Sequence, residues 1–189
     1  MTPFSKALAL GKVSTAEALN IFDSLDPVDV NAMVGSWKGS GFPTDHPLDG
    51  ALEAYHWHGK RFETPEHVHP LVFNTVDGNT ASINPLWMLP VVGWIDRLPI
   101  PKSDAVGLIF QMGLFLFSTN RSGARLRLTT YRGKETATMI YDNLPINDVF
   151  RKVDNYTVLG LMDLKGMKDP FFFVLTREHE AAQNLSIST

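Results

Sequence analysis

Residues 35–47 read GSWKGSGFPTDHP and place three glycines around a single tryptophan. The glycines share the parity of Trp37, so on a β-strand all of these residues face the same side. Glycines on that side add no side-chain volume, which lets a strand bend closely around one indole ring. The stretch predicts that Trp37 closes one end of a β-barrel and that Gly35 and Gly39 make room for it. We therefore expect this segment to build the fold rather than to form a reactive loop.

Short segments of β character, separated by turn residues, follow this stretch. About nine strands are expected from the alternation of apolar and polar residues and from the turns between them. They lie at 36–42, 53–58, 68–74, 80–83, 124–131, 135–141, 146–153, 156–164 and 171–177. This spacing is typical of a mainly β, antiparallel barrel or sandwich. With 189 residues the chain suits a single domain, with a first barrel half at 35–83 and a second at 124–177.

Helices are expected before the barrel, over residues 12–34. Ser14 and Glu17 have the spacing of a capping box, in which each side chain satisfies an exposed backbone N–H group. Asp26 and Pro27 predict the start of a second helix, because proline at the first helical position loses no hydrogen bond.

A strongly apolar insertion at 84–120 separates the two barrel halves. It predicts one helix over 86–97 and another over 105–118, although a strand remains an alternative for the second segment because short apolar runs are ambiguous. Helices that are apolar on nearly every side are usually buried, so the favoured interpretation is packing against the barrel. The alternative is a lid or portal that admits an oily ligand or transiently contacts a membrane surface. Residues 178–189 are expected to form a tail.

Composition excludes several classes of protein. Lys and Arg number 17 against 20 Asp and Glu, so the net charge of −3 argues against nucleic acid as a partner. The chain has no cysteine, which excludes disulfides and thiolate metal sites. The apolar stretch near the N-terminus is too short for a secretory signal, and the longest uncharged run, 105–120, is too short for a membrane span. We expect a cytoplasmic protein.

Signals for catalysis are weak. Residues 35–39, GSWKG, do not have the serine position or the following helix of a hydrolase elbow. Asp45, His46 and Asp49 could form an acid–base group, but capping of a turn is the simpler interpretation. We therefore favour a protein without enzymatic activity.

The Gly-X-Trp motif resembles the first strand of lipocalins and fatty-acid-binding proteins. In those families the tryptophan closes the barrel floor, and an arginine near the last strand stacks on it. Arg177, at the end of PFFFVLTR, occupies the matching place. We predict a cation–π contact between Arg177 and Trp37, worth about 1–2 kcal/mol if it is shielded from water.

A more extensive resemblance covers residues from 20 to 177. The segments MVGSWKGSGFPTDHPLDG, WHGKRF, HVHPLVFN, TTYRG and ATMIYDNLPINDVFRKVDNYTVLGLMD resemble the bacterial GXWXG-domain family, which carries a C-terminal domain of unknown function. This resemblance implies a calycin-like barrel and brings no enzymatic activity with it. The opening motif also resembles nitrobindin, which implies haem held by a histidine near the C-terminal end. The strands expected after residue 124 contain no histidine, and His179 follows Arg177.

Two histidine pairs, His56 with His58 and His67 with His69, form the main candidate for a metal site. The members of each pair are two residues apart, so they share a strand face, and on neighbouring strands four imidazoles could converge on a divalent metal. Hydrogen bonding at a barrel mouth is the simpler interpretation. We expect no metal or other cofactor, with a divalent metal or haem as the alternative.

Arg125 and Arg127 share one face of the strand at 124–131, with leucines on the other face. If the arginines face inward, they could anchor a carboxylate, since a buried charge needs a partner. The slightly favoured interpretation places the leucines inside and the arginines in water. Lys60 and Arg61, after Gly59, are interpreted as a solvated turn, with an anionic headgroup site at the barrel mouth as the alternative.

Three hypotheses for function follow. The first is a non-catalytic binding protein for a small hydrophobic ligand, such as a fatty acid, phospholipid or similar lipid, held in the barrel. Its predicted ligand-binding residues are Tyr55, Trp57, His67, His69, Arg125, Arg127, Tyr131 and Tyr141. The second is a metal- or haem-binding barrel that uses the histidine pairs. The third is an interaction module, in which the apolar helices form a homodimer or partner surface.

Overall fold

The computed structural model of the chain describes residues 1–88 and 101–178. Ten strands lie in these ranges and belong to one antiparallel sheet. In chain order they are β1 Asp26–Pro27, β2 Gly35–Gly41, β3 Trp57–Thr64, β4 His67–Asn74, β5 Thr80–Ser82, β6 Ala124–Tyr131, β7 Lys134–Tyr141, β8 Ile146–Lys152, β9 Thr157–Leu164 and β10 Phe171–Arg177. The prediction of a mainly β, antiparallel barrel is confirmed.

Eight of these strands close the barrel. They follow the order β8-β7-β6-β4-β3-β2-β10-β9, and β9 pairs again with β8. The two remaining strands extend the sheet at its margins, since β1 pairs with β8 and β5 pairs with β4. The join between β4 and β6 is the shortest of the barrel and consists of the pairing of Val68 with Ala124.

In the described ranges, all of the helices come before β6 in the chain. They are α1 Pro3–Leu10, α2 Thr15–Ser24, α3 Val30–Met33, α4 Ala51–Ala54 and α5 Asp104–Phe117, with a 3₁₀ helix at Pro85–Met88. None of the helices in the described ranges has the length and hydropathy that a bilayer crossing requires.

Strand alternation in β8–β10 creates two hydrophobic cores. Phe150 and Phe173 point into the barrel, whereas Phe172 points outward and packs with Phe22 of α2. The outer core buries α1 and α2 against the barrel wall, with Phe4 of α1 stacked on Phe42. The side chains of α1 and α2 therefore belong to the outer core and not to the core inside the barrel.

Several predicted helix boundaries are confirmed, and two predictions are wrong. Ser14 caps α2 by accepting from the backbone N–H of Glu17, and α5 confirms the helix predicted over 105–118. Pro27 does not start a helix, because Asp26–Pro27 pairs as a short strand with β8. The strand predicted over 53–58 is wrong, since α4 ends at Ala54 and β3 begins at Trp57.

Part of the apolar insertion lies outside the described residues. Of the helix predicted over 86–97, only 86–88 are described, and they belong to the 3₁₀ helix. In the predicted tail, Glu178 is described, while 179–189, including His179, lie beyond the described range.

Trp37, on β2, is held between α3 and Arg177. Its indole is 2% exposed, and its Nε1–H donates to the carbonyl oxygen of Met33 at 2.7 Å. The guanidinium of Arg177 lies 4.4 Å from the ring centroid and donates to the carbonyls of Val34 and Ala32. The predicted cation–π contact is confirmed, and this cluster fills its end of the barrel.

The glycines of the motif make room for other side chains than expected. A Cβ on Gly39 would lie 1.9 Å from the ring of Trp57, and one on Gly35 would lie 2.7 Å from an Arg177 guanidinium nitrogen. Gly39 is therefore restricted to glycine by the close approach of the Trp57 ring, and Gly35 by its φ of 128°, which other residues rarely adopt. They accommodate the neighbours of Trp37 rather than the Trp37 ring itself.

Candidate functional site

A cavity of about 400 Å³ lies inside the barrel, beyond the Trp37 cluster. Its walls come from β3, β4, β7, β8, β9 and β10, and from α4, the 3₁₀ helix and α5. Most of the lining side chains are aromatic or aliphatic. Those from the strands include Trp57, Leu71, Phe73, Tyr141, Met162, Phe171 and Phe173.

Helix α5 covers one side of the cavity. Phe110 and Phe117 line it, and Phe110 packs edge-on against Tyr55 and Phe73 with centroid distances of 5.2 Å. The helix approaches α4 so closely that a Cβ on Gly107 would lie 2.0 Å from the carbonyl oxygen of Ala54. At this point α5 therefore packs directly against α4.

An ion pair between Lys60 and Asp148 is set into this apolar wall. The Lys60 ammonium lies 2.7 Å from Asp148 Oδ2, and the side chains are only 3% and 2% exposed. The ammonium also donates to the carbonyl oxygen of Pro70 at 3.1 Å. Among the described residues that line the cavity, these two are the charged ones.

Three aromatic rings surround the ammonium of Lys60. Its Nζ lies 5.0 Å from the ring centroid of Phe173, 5.5 Å from that of Trp57 and 5.8 Å from that of Tyr141. Such rings attract a cation through the negative potential of their faces. The rings and Asp148 together compensate for the water that Lys60 loses on burial.

A β-bulge at Gly59 explains how Lys60 reaches the cavity. Trp57 and Lys60 are three residues apart, so on a regular strand they would face opposite sides. The pairing of β3 with β4 shifts register around Gly59, whose φ of 149° favours glycine. The bulge turns both side chains inward. The interpretation of Lys60 as part of a solvated turn is therefore wrong.

Two buried polar atoms of the cavity wall have no hydrogen-bond partner within the described part of the chain. They are Asp148 Oδ1, an acceptor, and Trp57 Nε1, a donor. Burial raises the pKa of Asp148, and the nearby Lys60 opposes that rise. Burial and the Asp148 carboxylate also raise the pKa of Tyr141 well above its usual value. These groups form a buried polar cluster in an otherwise apolar cavity wall.

The predicted ligand-binding residues divide into two groups. Tyr55, Trp57 and Tyr141 line the cavity. Arg125 and Arg127 lie on the outer face of β6, where their side chains are exposed and near Asp142 and Glu66. Leu126, on the other face, is buried in the barrel core. On β6, Leu126 therefore faces the barrel interior and the two arginines face outward, as the slightly favoured interpretation of the sequence expected.

Tyr131 and the histidines of β4 also lie away from the cavity. Tyr131 packs edge-on against Phe22 in the outer core. His67 is exposed, and His69 is buried with its Nε2 3.3 Å from Glu63. Burial and the positive charge of Arg61 lower the pKa of His69.

The histidine pairs do not converge. His56 is exposed, whereas the ring of His58 contacts Asn74 at 2.9 Å and Glu178 at 3.0 Å. In the part of the chain that the structure describes, no group of three or more His, Asp or Glu side chains could hold a metal ion. Asp49 accepts from the backbone N–H groups of Thr44 and His46, as expected for a capped turn.

Comparison with known proteins gives the family. Residues 20–78 match the sequence model of the GXWXG protein family, and residues 122–177 match a domain of unknown function, DUF4334. A crystal structure of a protein from Thermomonospora curvata is 33% identical, covers 93% of this chain and 96% of its own, and superposes with a TM-score of 0.67. The chain belongs to the GXWXG protein family. Among curated proteins, none matches it significantly in sequence.

The two family segments meet at the cavity of this GXWXG protein. The first contains β2, β3 and β4, and the second contains β6 to β10, so both contribute to the same closed barrel. Lys60 comes from the first segment and Asp148 from the second. The ion pair therefore joins the two parts of the chain across the cavity.

Sequence reasoning missed Lys60 and Asp148, although one signal was available. Asp148 shares the parity of Ile146 and Phe150 on β8, so it is a charged residue between two apolar ones on the same strand face. That pattern predicts a buried carboxylate in need of a partner. Lys60 had no such signal, because its inward orientation depends on the bulge at Gly59.

Proposed function

We propose that this GXWXG protein binds a small hydrophobic molecule of lipid type inside its barrel, without catalysing a reaction. The observation that carries the proposal is the cavity of about 400 Å³ with its aromatic and aliphatic walls. Cavities that hold small ligands typically have volumes of roughly 300–1,000 Å³ and a few polar groups in a mostly apolar lining. Lipocalins and fatty-acid-binding proteins, which the sequence resembles, use a barrel in this way.

The anchor for the ligand differs from the one expected from the sequence. Arg125 and Arg127 are on the outer face of β6 and do not line the cavity. The polar contacts would come instead from the polar cluster of the cavity wall, which contains Lys60, Asp148, Trp57 and Tyr141. The apolar body of the ligand would lie against the phenylalanines of β4, β10 and α5.

Binding of prodan tests this proposal, because prodan is a neutral naphthalene fluorophore whose emission shifts on entering an apolar site. We expect saturable binding to the wild-type protein. Leu71→Trp should abolish it by filling the cavity, since Leu71 lines it. Leu128→Trp is the matched control, because Leu128 is 49% exposed and is not a lining residue.

The expected result is loss of the prodan signal in Leu71→Trp alone, with both variants folded by circular dichroism. Equal prodan binding by both variants would contradict the proposal. Native mass spectrometry of freshly purified protein adds a second readout, in which a bound molecule of lipid mass is the expected finding.

An apolar stripe on α5 favours self-association as a second candidate function. Ile109, Met112 and Leu116 share one helix face and are 69%, 66% and 65% exposed. Apolar side chains at this spacing are suited to pack against the same stripe of a second copy. Analytical ultracentrifugation tests this, and Met112→Lys should convert a dimer to a monomer without affecting prodan binding.

A further inference from the structure

Several polar groups of the cavity wall are already engaged or enclosed within the protein. Asp148 Oδ1 and Trp57 Nε1 are surrounded by protein atoms and face no open space. Asp148 Oδ2 binds the Lys60 ammonium at 2.7 Å. The hydroxyl of Tyr55 donates to the carbonyl oxygen of Pro101 at 3.0 Å. A ligand therefore needs another group of this wall for a direct hydrogen bond.

The hydroxyl of Tyr141 is different, because it is unpaired and open to the cavity. Tyr141 is the last residue of β7, lines the cavity and is 6% exposed. Within the described residues its hydroxyl has no hydrogen-bond partner, and it is not one of the enclosed polar atoms. A tyrosine hydroxyl can donate one hydrogen bond. This donor is therefore placed to contact a molecule inside the barrel.

The surroundings of Tyr141 favour a neutral partner for its hydroxyl. Burial and the Asp148 carboxylate raise the pKa of Tyr141 well above its usual value, so the hydroxyl keeps its proton at neutral pH. An anionic group of a ligand would meet the same two conditions, loss of water and a nearby negative charge. The Lys60 ammonium is already paired with Asp148 and does not balance a second anion. A neutral acceptor avoids this cost.

Among neutral groups, a carbonyl suits the Tyr141 hydroxyl better than an alcohol does. A carbonyl oxygen only accepts hydrogen bonds, so the donor of Tyr141 satisfies it. An alcohol brings a further O–H donor, whereas the unpaired acceptor of the wall, Asp148 Oδ1, is enclosed. A buried donor without a partner costs free energy, which disfavours the alcohol.

We infer that the ligand is a neutral, hydrophobic carbonyl compound, such as a ketone or an ester, whose carbonyl oxygen accepts a hydrogen bond from the Tyr141 hydroxyl. Its hydrocarbon part lies against the aromatic and aliphatic walls of the cavity. This ligand class rests on the proposed function and narrows it to compounds without a charge. Fatty acids are excluded because they are anions at neutral pH.

Displacement of a fluorophore from wild-type protein and from Tyr141→Phe tests the inference. Prodan is itself a ketone, so the probe is N-phenyl-1-naphthylamine, a neutral fluorophore without a carbonyl group. The competitors are 2-undecanone and 2-methyl-1-undecene, which differ in carrying C=O or C=CH₂ at the same place. Tyr141→Phe should weaken the ketone relative to the alkene by roughly fivefold or more, because only the ketone loses a hydrogen bond. The ratio of the two affinities cancels the difference in their solubility in water.

Tyr131→Phe is the matched control, since it removes a tyrosine hydroxyl in the outer core, away from the cavity. It should leave the ratio of ketone to alkene affinity as in the wild-type protein. An unchanged ratio in Tyr141→Phe would overturn the inference.

The infrared carbonyl band of 2-undecanone bound to wild-type protein gives a readout that needs no variant. A hydrogen bond weakens the C=O bond, so the band should lie at a lower wavenumber than in hexane. A band at the hexane position would overturn the inference. Undecanoate, which is ionised at a pH of about 8, should displace the fluorophore less well than 2-undecanone. Equal displacement would show that the cavity accepts an anion and would also overturn it.

The outcomes separate this inference from the proposed function. If the fluorophore binds and is lost in Leu71→Trp, but the ketone shows no dependence on Tyr141, the ligand class is wrong and the binding function stands. If neither this fluorophore nor prodan binds in the cavity, the proposed function fails.

Discussion

Two cations lie over tryptophan rings inside this barrel, and their surroundings give them different roles. The Arg177 guanidinium lies 4.4 Å from the ring centroid of Trp37, and the Lys60 ammonium lies 5.5 Å from that of Trp57. Lys60 and Trp37 are even direct cross-strand partners on β3 and β2. Yet the Arg177 guanidinium donates to the carbonyls of Ala32 and Val34 and lies over a buried ring, whereas Lys60 lines a cavity.

The difference shows that a cation–π contact alone does not indicate function. At Trp37, polar groups find partners within the protein, and the cluster contributes stability. At Lys60, the pair with Asp148 leaves an acceptor without a partner in the described residues. A buried ion pair is weak evidence for stability, because the loss of water offsets much of the attraction. The space beside it is what makes the second cluster a candidate site.

The largest effect is expected from Trp37→Ala. This substitution removes a fully buried ring together with its hydrogen bond to Met33, so it should lower the free energy of unfolding by about 5 kcal/mol. Urea denaturation measures the change. Trp87→Ala is the control, because Trp87 is 59% exposed and should lose far less. An equal loss of unfolding free energy in the two variants would contradict the structural role assigned to Trp37.

Lys60→Met should destabilise the protein by about 3 kcal/mol at neutral pH, because it leaves the Asp148 carboxylate buried without its partner. The double variant Lys60→Met/Asp148→Asn should recover most of this loss. A loss that persists unchanged in the double variant would show that Lys60 acts through packing rather than charge.

The pH dependence of Lys60→Met follows from the same pair. Burial raises the pKa of Asp148, and Lys60 opposes that rise, so without Lys60 the folded state holds the proton still more tightly than the unfolded state. The variant should therefore become more stable as the pH is lowered from neutral towards the usual pKa of an aspartate.

Arg177→Met should cost about 2 kcal/mol, from the lost contact with Trp37 and the lost hydrogen bonds to the carbonyls of Ala32 and Val34. Prodan affinity should stay unchanged, because Arg177 does not line the cavity. Arg125→Met, on the exposed outer face, is the control and should change stability by less than about 0.5 kcal/mol. Loss of prodan binding in Arg177→Met would contradict the separation of the two clusters.

The smallest effect is expected from His69→Asn, which should change only the pH dependence of stability. The pKa of His69 is lowered by burial and by Arg61, so the unfolded state binds the proton more readily. Wild-type protein should lose stability as the pH falls through about 6.5, the usual pKa of histidine. His69→Asn should remove this part of the slope, as measured by urea midpoints at several pH values. His67→Asn, at an exposed position, should retain it.

Much of the fold was predictable because it depends on local patterns. Turn residues and apolar alternation located most strands, and Ser14 capped α2 as its spacing predicted. Predictions made from a single local signal were less secure. Pro27 suits the first turn of a helix, but pairing with β8 places it in a strand, since tertiary contacts override a local preference.

The candidate site was predictable only in part. Trp57, Tyr55 and Tyr141 were expected at the cavity and lie there. For Arg125 and Arg127 the sequence only slightly favoured an outward face, because both faces of β6 carry apolar and polar residues. The structure places the arginines outside and pairs them with acidic residues.

The sequence located the closed end of the barrel. The parity of β2 predicted that Trp37 faces inward, and the resemblance to lipocalins and fatty-acid-binding proteins predicted that Arg177, the last residue of β10, stacks on it. That parity depends on a regular strand, whose side chains alternate at every residue. Only the tertiary structure decided the cavity and its ion pair. The bulge at Gly59 breaks that alternation and turns Lys60 inward, and barrel closure brings Asp148 to it from β8, 88 residues along the chain by the numbering of the two positions.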